Sequence, residues 1–344
     1  AESTRDTAGG DRGSVLVVEN LGKRFLIRRG AGGADRILRA LEGISFRVGE
    51  REALGFVGES GSGKTTLARI IVGLANPSEG FVRAGTSDGG DGARMLSRSK
   101  AGWRPGEVQM IFQDPTDSLD PYMTVEQIVR EPLELTVGGR RSASRAPLKA
   151  ALDDVGLSGE LLPRRPMELS VGQRQRVAIA RSLTTDPVLI VADEAVSALD
   201  VSARGQVLNL LADIQRERKL ACIHISHDLS VVRHICDRVA VLHAGRLVEI
   251  AKTDDLFTRP RHPYTRALLD AVPVPDPAPE RRGMRVALRG ELPDMTEEIV
   301  GCAFRSRCLR AQVLCSQVDP PLQPDATRHA WACHFPLADG ETLT

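Results

Sequence analysis

The clearest chemistry in this sequence comes from a glycine-rich segment at residues 58–66, between the apolar run ALGFV and the helical pattern TTLARIIVGL. It has the form G-x-x-x-x-G-K-S/T in a strand–loop–helix setting. Glycines let successive backbone N–H groups turn toward an anion, and the start of the following helix adds its positive dipole end. We therefore predict a phosphate-binding loop rather than an incidental glycine-rich turn. Its residues are Gly58, Glu59, Ser60, Gly61, Ser62, Gly63, Lys64, Thr65 and Thr66.

Two side chains of this loop suit a magnesium–nucleotide complex. Lys64 places positive charge against the β- and γ-phosphates, and the Thr65 hydroxyl can ligate Mg²⁺. A second apolar run, VLIVA, ends in Asp193 and Glu194. We predict that Asp193 reaches the Mg²⁺ shell from a neighbouring strand and that Glu194 polarises the attacking water. The alternative for this acid pair is an ordinary solvated turn at a strand end.

Composition narrows the classes of partner. The 344 residues carry a net charge of +1, so no broad basic field is directed at nucleic acid. Aromatic residues make up only 3%, too few for the stacking platforms of single-strand binders. The longest purely apolar stretches fall far short of the roughly 18 residues that span a bilayer. We therefore expect a cytosolic protein without nucleic acid as a partner, which meets the membrane only through other subunits.

The order of apolar and helical segments predicts an α/β fold. Strands are predicted at 15–19, 44–48, 53–57, 188–192 and 221–225, with a hairpin formed by 239–242 and 247–250. Apolar strands that alternate with helical patterns are typical of a mostly parallel sheet covered on both faces. A block of helical patterns at about 114–185 is predicted to be an insertion into this arrangement.

Composition also divides the chain into three parts. Residues 1–13 are polar and glycine-rich and are predicted to form a flexible leader or linker. Residues 14–250 are predicted to form a nucleotide-binding domain, with a variable surface loop at 81–106. Residues 251–344 form a C-terminal tail, in which a Pro-rich, semi-rigid connector follows Ala271.

Between the phosphate loop and the acid pair lies LSVGQ, which resembles the signature motif of ATP-binding cassette (ABC) proteins. Other segments match that family in its order over about residues 15–250. They supply Gln113 of the Q-loop, Ser170, Val171, Gly172 and Gln173 of the signature, Ser197 and Asp200 of the D-loop, the switch histidine His227, and Phe25 as the aromatic that stacks on adenine. The resemblance implies an ATPase with a P-loop NTPase cassette, in which an antiparallel β subdomain and a helical insertion join a mostly parallel core. Packing alone is the alternative explanation of Phe25.

Two cassettes of this family pair head to tail. The resemblance implies that Ser170 and Gly172 donate to the γ-phosphate held by a partner cassette, which is a second subunit, a fused half or an identical copy. It also implies that His227 hydrogen-bonds the γ-phosphate and that Gln113 contacts Mg²⁺ and water. The alternatives are a plain loop residue for Gln113 and a structural histidine for His227, a role for which His224 is the better candidate.

Three further segments, FQDPTDSLDPYMTV, VSALDVSARGQVLNLL and RHPYTRALLDAVP, resemble the oligopeptide and dipeptide importers of bacteria within this family. The resemblance implies two transmembrane permease subunits, an extracytoplasmic peptide-binding protein, and a peripheral position on the cytoplasmic face of the cell membrane. Importers of nickel and of sugars share parts of the pattern. A soluble ABC ATPase that acts on ribosomes or nucleic acid is the competing class, while a dead ATPase is disfavoured because the expected catalytic residues are present.

Two positions depart from the family pattern. Val171 stands where the signature usually has glycine, and Ala195 stands where a proline commonly follows the catalytic glutamate. We expect the change at Ala195 to be minor. Val171 adds a branched side chain where glycine normally permits close backbone approach, which bears directly on the ATP site completed for the partner.

Four of the six cysteines, Cys302, Cys308, Cys315 and Cys333, lie in the tail with intervals of 5, 6 and 17 residues. This spacing lacks the paired short intervals of most structural zinc sites, while four thiolates suit either an iron–sulfur cluster or Zn²⁺. Free thiols and disulfides are also compatible with the spacing, although a reducing cytosol disfavours disulfides. Resemblance to the importer branch, several of whose members carry a cluster here, favours a 4Fe–4S cluster, with His334 as a substitute ligand.

Overall fold

The computed structural model describes residues 13–28, 35–84, 94–95, 103–136, 146–271 and 293–341. The predicted leader, apart from residue 13, and the predicted Pro-rich connector lie outside these ranges, as does most of the predicted loop at 81–106. Within the described ranges no helix is both long enough and apolar enough to cross a membrane.

The described chain alternates between strands and helices. In chain order the strands are β1 (Ser14–Ile27), β2 (Arg36–Gly49), β3 (Ala53–Val57), β4 (Glu79–Ala84), β5 (Arg94–Met95), β6 (Val108–Ile111), β7 (Leu189–Asp193), β8 (Ala221–Ile225), β9 (Arg238–His243), β10 (Arg246–Lys252), β11 (Gln323–Pro324) and β12 (Ala330–Trp331). The α-helices are α1 (Lys64–Ile71), α2 (Pro115–Ser118), α3 (Val125–Thr136), α4 (Ala146–Asp154), α5 (Val171–Leu183), α6 (Val201–Arg218), α7 (Leu229–Ile235), α8 (Thr253–Thr258), α9 (Pro263–Ala271) and α10 (Val313–Gln317).

A four-stranded antiparallel sheet, ordered β2-β1-β4-β5, forms the smaller layer. Its buried residues Val18 and Ile44 belong to the same apolar cluster as Phe56 of β3 and Leu67 of α1. The sheet therefore packs over α1 and one face of the main sheet, and it corresponds to the antiparallel β subdomain that the resemblance implies.

The main sheet is mixed and has the strand order β11-β12-β10-β9-β3-β8-β7-β6. The five strands from β9 to β6 are parallel to one another, whereas β10, β12 and β11 are antiparallel additions at one end. All residues of β3, β7 and β8 are buried, because helices cover one face of these strands and the smaller layer covers the other. The predicted parallel core is present, and the antiparallel end makes the whole sheet mixed.

Parallel strands bring the loops that carry the predicted site residues to one edge. The order β3-β8-β7-β6 places the carboxyl ends of these four strands side by side. The phosphate loop follows β3, and Gln113 follows β6. Asp193 ends β7, and His227 follows β8 by two residues. Ligands of open α/β sheets bind at this edge, where the loops converge.

The helical insertion consists of α2 to α5 and two short 3₁₀ turns at Gly159–Leu161 and Pro166–Glu168. Helix α5 is its centre, since α2, α3 and α4 all pack on it. The buried residues Val125, Ile128 and Val129 of α3 join Val177 of α5 in the apolar cluster beneath the main sheet. The insertion at about 114–185 is therefore built of helices that pack on α5.

The C-terminal tail packs onto the main sheet rather than away from it. Strand β10 crosses the predicted limit of the cassette at residue 250, and β12 of the tail pairs with it. Glu249 of β10 is fully buried and accepts hydrogen bonds from the backbone N–H groups of Arg261 and His262, while His329 Nε2 lies 2.6 Å from its carboxylate. The division into domains at residue 250 stays a prediction.

A second anchor joins the tail to the smaller layer. The Arg246 guanidinium donates to Glu42 of β2 and to Asp319 of the tail, and it also reaches the carbonyls of Ile299 and Gly301. These contacts hold the start of the cysteine-bearing segment against the turn between β9 and β10.

Candidate functional site

Glycine is required at two places in the phosphate loop. Gly58 has φ 151°, and a Cβ at this position would lie 2.2 Å from the Leu242 carbonyl oxygen. Gly63 has φ 103°, and its Cβ would lie 2.6 Å from the Ala40 carbonyl oxygen. Any side chain would therefore push the loop off β9 and β2, so the motif glycines set the close approach of the loop backbone to the sheets.

Lys64 begins α1 and points back into the loop. Its ammonium donates to the carbonyls of Gly58 and Glu59, both at 2.8 Å, and lies 3.2 Å from Ser62 Oγ. Burial lowers the pKa of Lys64, while the charges of Glu194 and Asp193 oppose that shift. The loop thus encloses a fixed cation, which is the arrangement a polyphosphate requires.

Asp193 and Thr65 meet beside this cation. The Thr65 hydroxyl donates to Asp193 Oδ1 at 3.4 Å, which links the start of α1 to the end of β7. Burial raises the pKa of Asp193, and the charge of Glu194 adds to that shift. A carboxylate and a hydroxyl side by side supply the oxygen donors that Mg²⁺ prefers, so these two residues fit a magnesium site.

Glu194 sits at the centre of a small polar cluster. Its carboxylate accepts a hydrogen bond from Gln113 Nε2 at 2.9 Å and lies 3.1 Å from His227 Nδ1. Its backbone has φ 49°, a left-handed conformation held by a bond from its N–H to the Ile225 carbonyl at 2.9 Å. The structure therefore brings together three residues from the ends of β6, β7 and β8, with the carboxylate turned toward the other two.

The D-loop residues occupy the turn after Glu194. Ser197 Oγ donates to the Glu194 carbonyl at 2.9 Å, which supports the left-handed turn. Asp200 caps α6 by accepting hydrogen bonds from the N–H groups of Ser202 at 3.0 Å and Ala203 at 2.9 Å. Both residues hence help to fix the path of the chain beyond the acid pair.

The signature residues form the start of α5, where they bond to one another. Ser170 Oγ accepts from the Gln173 N–H at 3.2 Å, and Gln173 Oε1 accepts from the Ser170 N–H at 3.0 Å. Val171 is 40% exposed, and a Cβ added at Gly172 would meet nothing within 4 Å. The helix start therefore presents an open surface, instead of closing on the phosphate loop of its own chain.

Two other predicted residues differ in exposure. Phe25 on β1 is 40% exposed, and the Lys23 ammonium lies over one face of its ring, 4.8 Å from the ring centre. His224 is buried on β8, and burial lowers its pKa to about 4.

Sequence analysis missed two residues that contact the phosphate loop. Arg307 binds the Glu59 carboxylate through both terminal nitrogens, at 2.6 and 2.7 Å. Tyr264 accepts a hydrogen bond from the Glu59 backbone N–H at 3.0 Å. Tyr264 lies in RHPYTRALLDAVP and Arg307 in the cysteine segment, but neither pattern indicates that its residue reaches a loop more than 200 residues earlier.

The four tail cysteines line one cavity, together with apolar rings such as Phe304 and Phe335. Burial raises the pKa of Cys302 to about 11 and that of Cys333 to about 12, and it also raises the pKa of Cys308. Within the part of the chain that the structure describes, no three His, Cys, Asp or Glu side chains form a group that could hold a metal ion. His334, the predicted substitute ligand, lines the same cavity, and its Nε2 lies 2.9 Å from the Val318 carbonyl oxygen.

Comparison with known proteins agrees with this geometry. The ABC transporter family matches residues 41–197, and the family described as the oligopeptide/dipeptide transporter C-terminal region matches residues 248–315. A probable peptide ABC transporter ATP-binding protein of Sinorhizobium fredii is 46% identical over 322 residues, which cover 93% of this chain and 90% of the relative. The oligopeptide transport ATP-binding protein of Salmonella typhimurium is 45% identical over 302 residues, with 87% and 88% covered.

Solved structures share the fold. An ATP-binding cassette solved as a dimer in a post-hydrolysis state with ADP and Pi is 28% identical, with a TM-score of 0.56 over 69% of this chain and 98% of that one. A cassette from Clostridium perfringens, part of an ABC transporter complex, is 25% identical with a TM-score of 0.58, over 72% and 91%. The fold is that of a P-loop ABC cassette. The chain belongs to the ABC transporter ATP-binding proteins that carry the oligopeptide/dipeptide transporter C-terminal region, and it is accordingly an ATPase.

Proposed function

We propose that this chain is the ATP-hydrolysing subunit of an importer of the bacterial type that takes up oligopeptides or dipeptides. The observation that carries the proposal is the polar cluster at the edge of the main sheet. There Glu194 faces Gln113 and His227, beside the Asp193–Thr65 pair and the phosphate loop. The named relatives are peptide and oligopeptide transport proteins, which favours this function over an ATPase of ribosomes or nucleic acid and over an importer of nickel or another small solute.

The site supports a division of labour among its residues. Loop N–H groups and Lys64 would bind the β- and γ-phosphates. Thr65, Asp193 and Gln113 would hold Mg²⁺, which would neutralise charge on the phosphates. Glu194 accepts a proton from the attacking water, because its carboxylate stands at the strand end next to the phosphate-binding side chains. His227 hydrogen-bonds the γ-phosphate. The exposed ring of Phe25 stacks on the adenine.

A second cassette completes each ATP site in this proposal. The signature residues Ser170, Val171, Gly172 and Gln173 contact the γ-phosphate held by the partner, and Ser197 and Asp200 lie along the same interface. The open start of α5 supports this assignment, since a Cβ at Gly172 would meet nothing within 4 Å and a helix N-terminus suits an incoming anion. One solved cassette of the same fold is a dimer with ADP and Pi.

Membrane partners would dock on the helical insertion. Tyr122 and Met167 are 82% and 74% exposed and line an open groove between the segment after Gln113 and the segment before the signature. A groove lined by exposed apolar side chains and rimmed by charged ones is a candidate interaction surface. We propose that two permease subunits bind here at the cytoplasmic face of the membrane, with an extracytoplasmic peptide-binding protein on the other side.

We also propose that the nucleotide-binding cassette spans residues 14–250 and that the C-terminal tail spans residues 251–344.

We further propose that the tail holds a 4Fe–4S cluster on Cys302, Cys308, Cys315 and Cys333. The support is the convergence of these four thiols on one cavity enclosed by apolar rings. Zinc remains the alternative occupant of four thiolates. The resemblance to importers that carry a 4Fe–4S cluster favours the cluster over zinc. A cluster on these cysteines would cross-link residues 302–315 to residue 333 and would thereby stabilise a small, loop-rich segment.

The cluster proposal is tested by anaerobic purification. We expect brown protein with about four irons and four sulfides per chain, as the formula requires, and a colourless Cys308→Ser variant with a less stable tail. Colourless wild-type protein with one zinc per chain would replace the cluster by a zinc site.

The transport proposal is tested by expressing the chain together with candidate permease subunits. We expect them to co-purify in detergent and the complex to hydrolyse ATP, and we expect Lys64→Ala to weaken nucleotide binding. Co-purification with ribosomes, and none with a membrane protein, would contradict the proposal.

A further inference from the structure

The phosphate loop is held from outside by two residues of the C-terminal tail, and both act on Glu59. Arg307 Nη1 donates to Glu59 Oε2 at 2.6 Å, and Nη2 donates to Oε1 at 2.7 Å. The Tyr264 hydroxyl accepts from the Glu59 backbone N–H at 3.0 Å. One residue of the loop is thus fixed through its side chain and its backbone together.

The Arg307–Glu59 pair is shielded from solvent. Its side chains are 3% and 26% exposed, so water screens it far less than an ordinary surface pair. The hydrogen bond from Arg307 and the charge of that guanidinium lower the pKa of Glu59, which keeps the carboxylate ionised. The bidentate pairing of a guanidinium with a carboxylate is directional as well as charge-assisted, and a lysine ammonium cannot form it.

Glu59 places a negative charge in the loop that is predicted to receive the phosphates of ATP. Without a counter-ion this carboxylate would repel the phosphates, and the partly buried setting would strengthen the repulsion. Arg307 cancels that charge and leaves Lys64 as the cation of the loop interior. Neutralisation depends on the docked tail, because Arg307 is 248 residues away in the chain.

Tyr264 acts on the loop backbone. The residue is fully buried, with its ring packed 5.3 Å from that of Phe304. N–H and C=O of one trans peptide point in opposite directions, so fixing the Glu59 N–H also fixes the Gly58 carbonyl. That carbonyl accepts from Lys64 Nζ at 2.8 Å. The hydroxyl therefore sets the orientation of the first peptide of the loop and, through it, the place of the lysine.

We infer that Arg307 and Tyr264 are positioning residues of the nucleotide site, through which the docked tail neutralises Glu59 and orients the loop to accept a triphosphate. The inference rests on the proposed assignment of residues 58–66 to ATP. It gives the tail a part in nucleotide affinity in addition to any structural role.

The test is a charge-rescue cycle on the purified full chain, with ATP affinity measured by titration calorimetry in EDTA so that no turnover occurs. We expect Arg307→Gln to weaken ATP binding on the order of tenfold, since it leaves an unpaired carboxylate beside the phosphates. Glu59→Gln/Arg307→Gln should bind ATP about as well as wild type, because the repelling charge is gone. Arg307→Lys should fall between the two, because it keeps the charge and loses the fork.

Two further variants separate charge from backbone orientation. Arg310→Gln is the matched control: it lies in the same cysteine segment and pairs with Glu341 of the tail, so its loss should leave ATP affinity unchanged. Tyr264→Phe removes only the hydroxyl and should weaken binding by a smaller factor, about three- to fivefold, through the loss of one hydrogen bond. Glu59→Gln should not rescue that variant, because its backbone N–H is unaltered.

The possible outcomes of these binding measurements distinguish between the inference and its alternatives. Weak ATP binding by Arg307→Gln that persists in the double variant would mean that Arg307 only holds the tail together, and would overturn the inference. Wild-type affinity in Arg307→Gln would overturn it as well. Failure of the wild-type chain to bind ATP, or normal binding by Lys64→Ala, would instead overturn the proposed function, so the two failures are distinguishable.

Discussion

At the scale of single residues, the proposed role of Glu194 in hydrolysis rests on the contacts of its carboxylate. Its left-handed backbone turns the carboxylate away from the strand direction of β7 and toward the ends of β6 and β8. Gln113 and His227 then hold the two carboxylate oxygens separately. A base placed in this way needs little rearrangement to accept a proton from water bound beside the phosphates.

Replacing Glu194 by Gln should slow hydrolysis and leave ATP binding intact. Glutamine has the same shape and can still bond to Gln113 and His227, but it cannot take a proton. We expect turnover to fall by about 10²–10⁴, with an unchanged ATP affinity and a longer-lived ATP-bound pair of cassettes. Steady-state ATPase and calorimetric binding assays check this, with the exposed Glu217→Gln as a neutral control. Turnover near that of wild type would contradict the assignment.

Residue types and spacing predict the Lys64 loop and the Asp193–Glu194 pair, whereas His227 is indicated by the resemblance to ABC proteins. The structure places all of these residues at one edge of the main sheet, where the strands that precede them end. Arg307 and Tyr264 could not be predicted in the same way. Their contacts with Glu59 span 248 and 205 residues and depend on how the tail docks, which no local pattern encodes.

At the scale of elements, strands β3 and β8 agree with the predicted residues. Each is a five-residue, mostly apolar run, and that length favours a buried strand over a helix. Sequence analysis missed β4, β6 and α6. Strand β4 lies partly within the segment predicted as a loop, and β6 has only four residues, of which two are half-buried. Helix α6 has a weak apolar face and contains Gly205.

The helical insertion gives a prediction about partner binding. Met167→Glu places a charge in the groove beside Tyr122, and we expect much less permease to co-purify while ATP binding by the isolated chain stays normal. Val313→Glu is a matched control, since Val313 is 73% exposed but lies in the tail. Equal co-purification of the two variants would show that the groove is not the permease contact.

At the scale of the whole molecule, buried neutral histidines link stability to pH. Burial lowers the pKa of His224 and of His243 from 6.5 to about 4. Below pH 6.5 the unfolded chain binds protons that the folded chain does not, so the free energy of unfolding falls as the pH drops toward 4. Each histidine contributes a slope of up to about 1.4 kcal/mol per pH unit.

Urea denaturation at pH 7, 6 and 5 tests this linkage. His243→Phe keeps a ring in the cluster with Tyr264 and Phe304 and removes one titrating group, so its stability should fall less steeply with pH than that of wild type. An identical slope for wild type and His243→Phe would exclude His243 as a source of the acid sensitivity.

In the proposed pairing of two cassettes, the signature of this chain forms part of its partner's ATP site. Val171 is 40% exposed at the start of α5, between Ser170, which caps the helix, and Gly172, which faces open space. A branched side chain here would keep the phosphates of the partner's ATP farther from the helix start than glycine does. The hydroxyl and the N–H donors remain, so ATP should still bind at that site while its hydrolysis slows.

In a complex with a partner that has an ordinary signature, the site built on Glu194 should therefore carry most of the turnover. Replacing Glu194 by Gln should remove most of the ATPase activity of the assembled complex, and the same change in the partner's catalytic glutamate should remove little. Val171→Gly should then raise turnover only at the partner's phosphate loop. This rise can be measured in a complex that also carries Glu194→Gln, because the remaining ATPase activity then comes from the partner's site. In a homodimer both sites carry Val171, and no asymmetry is expected. Equal losses from the two single glutamate variants, in a complex of two different cassettes, would show that Val171 does not impair the site it completes.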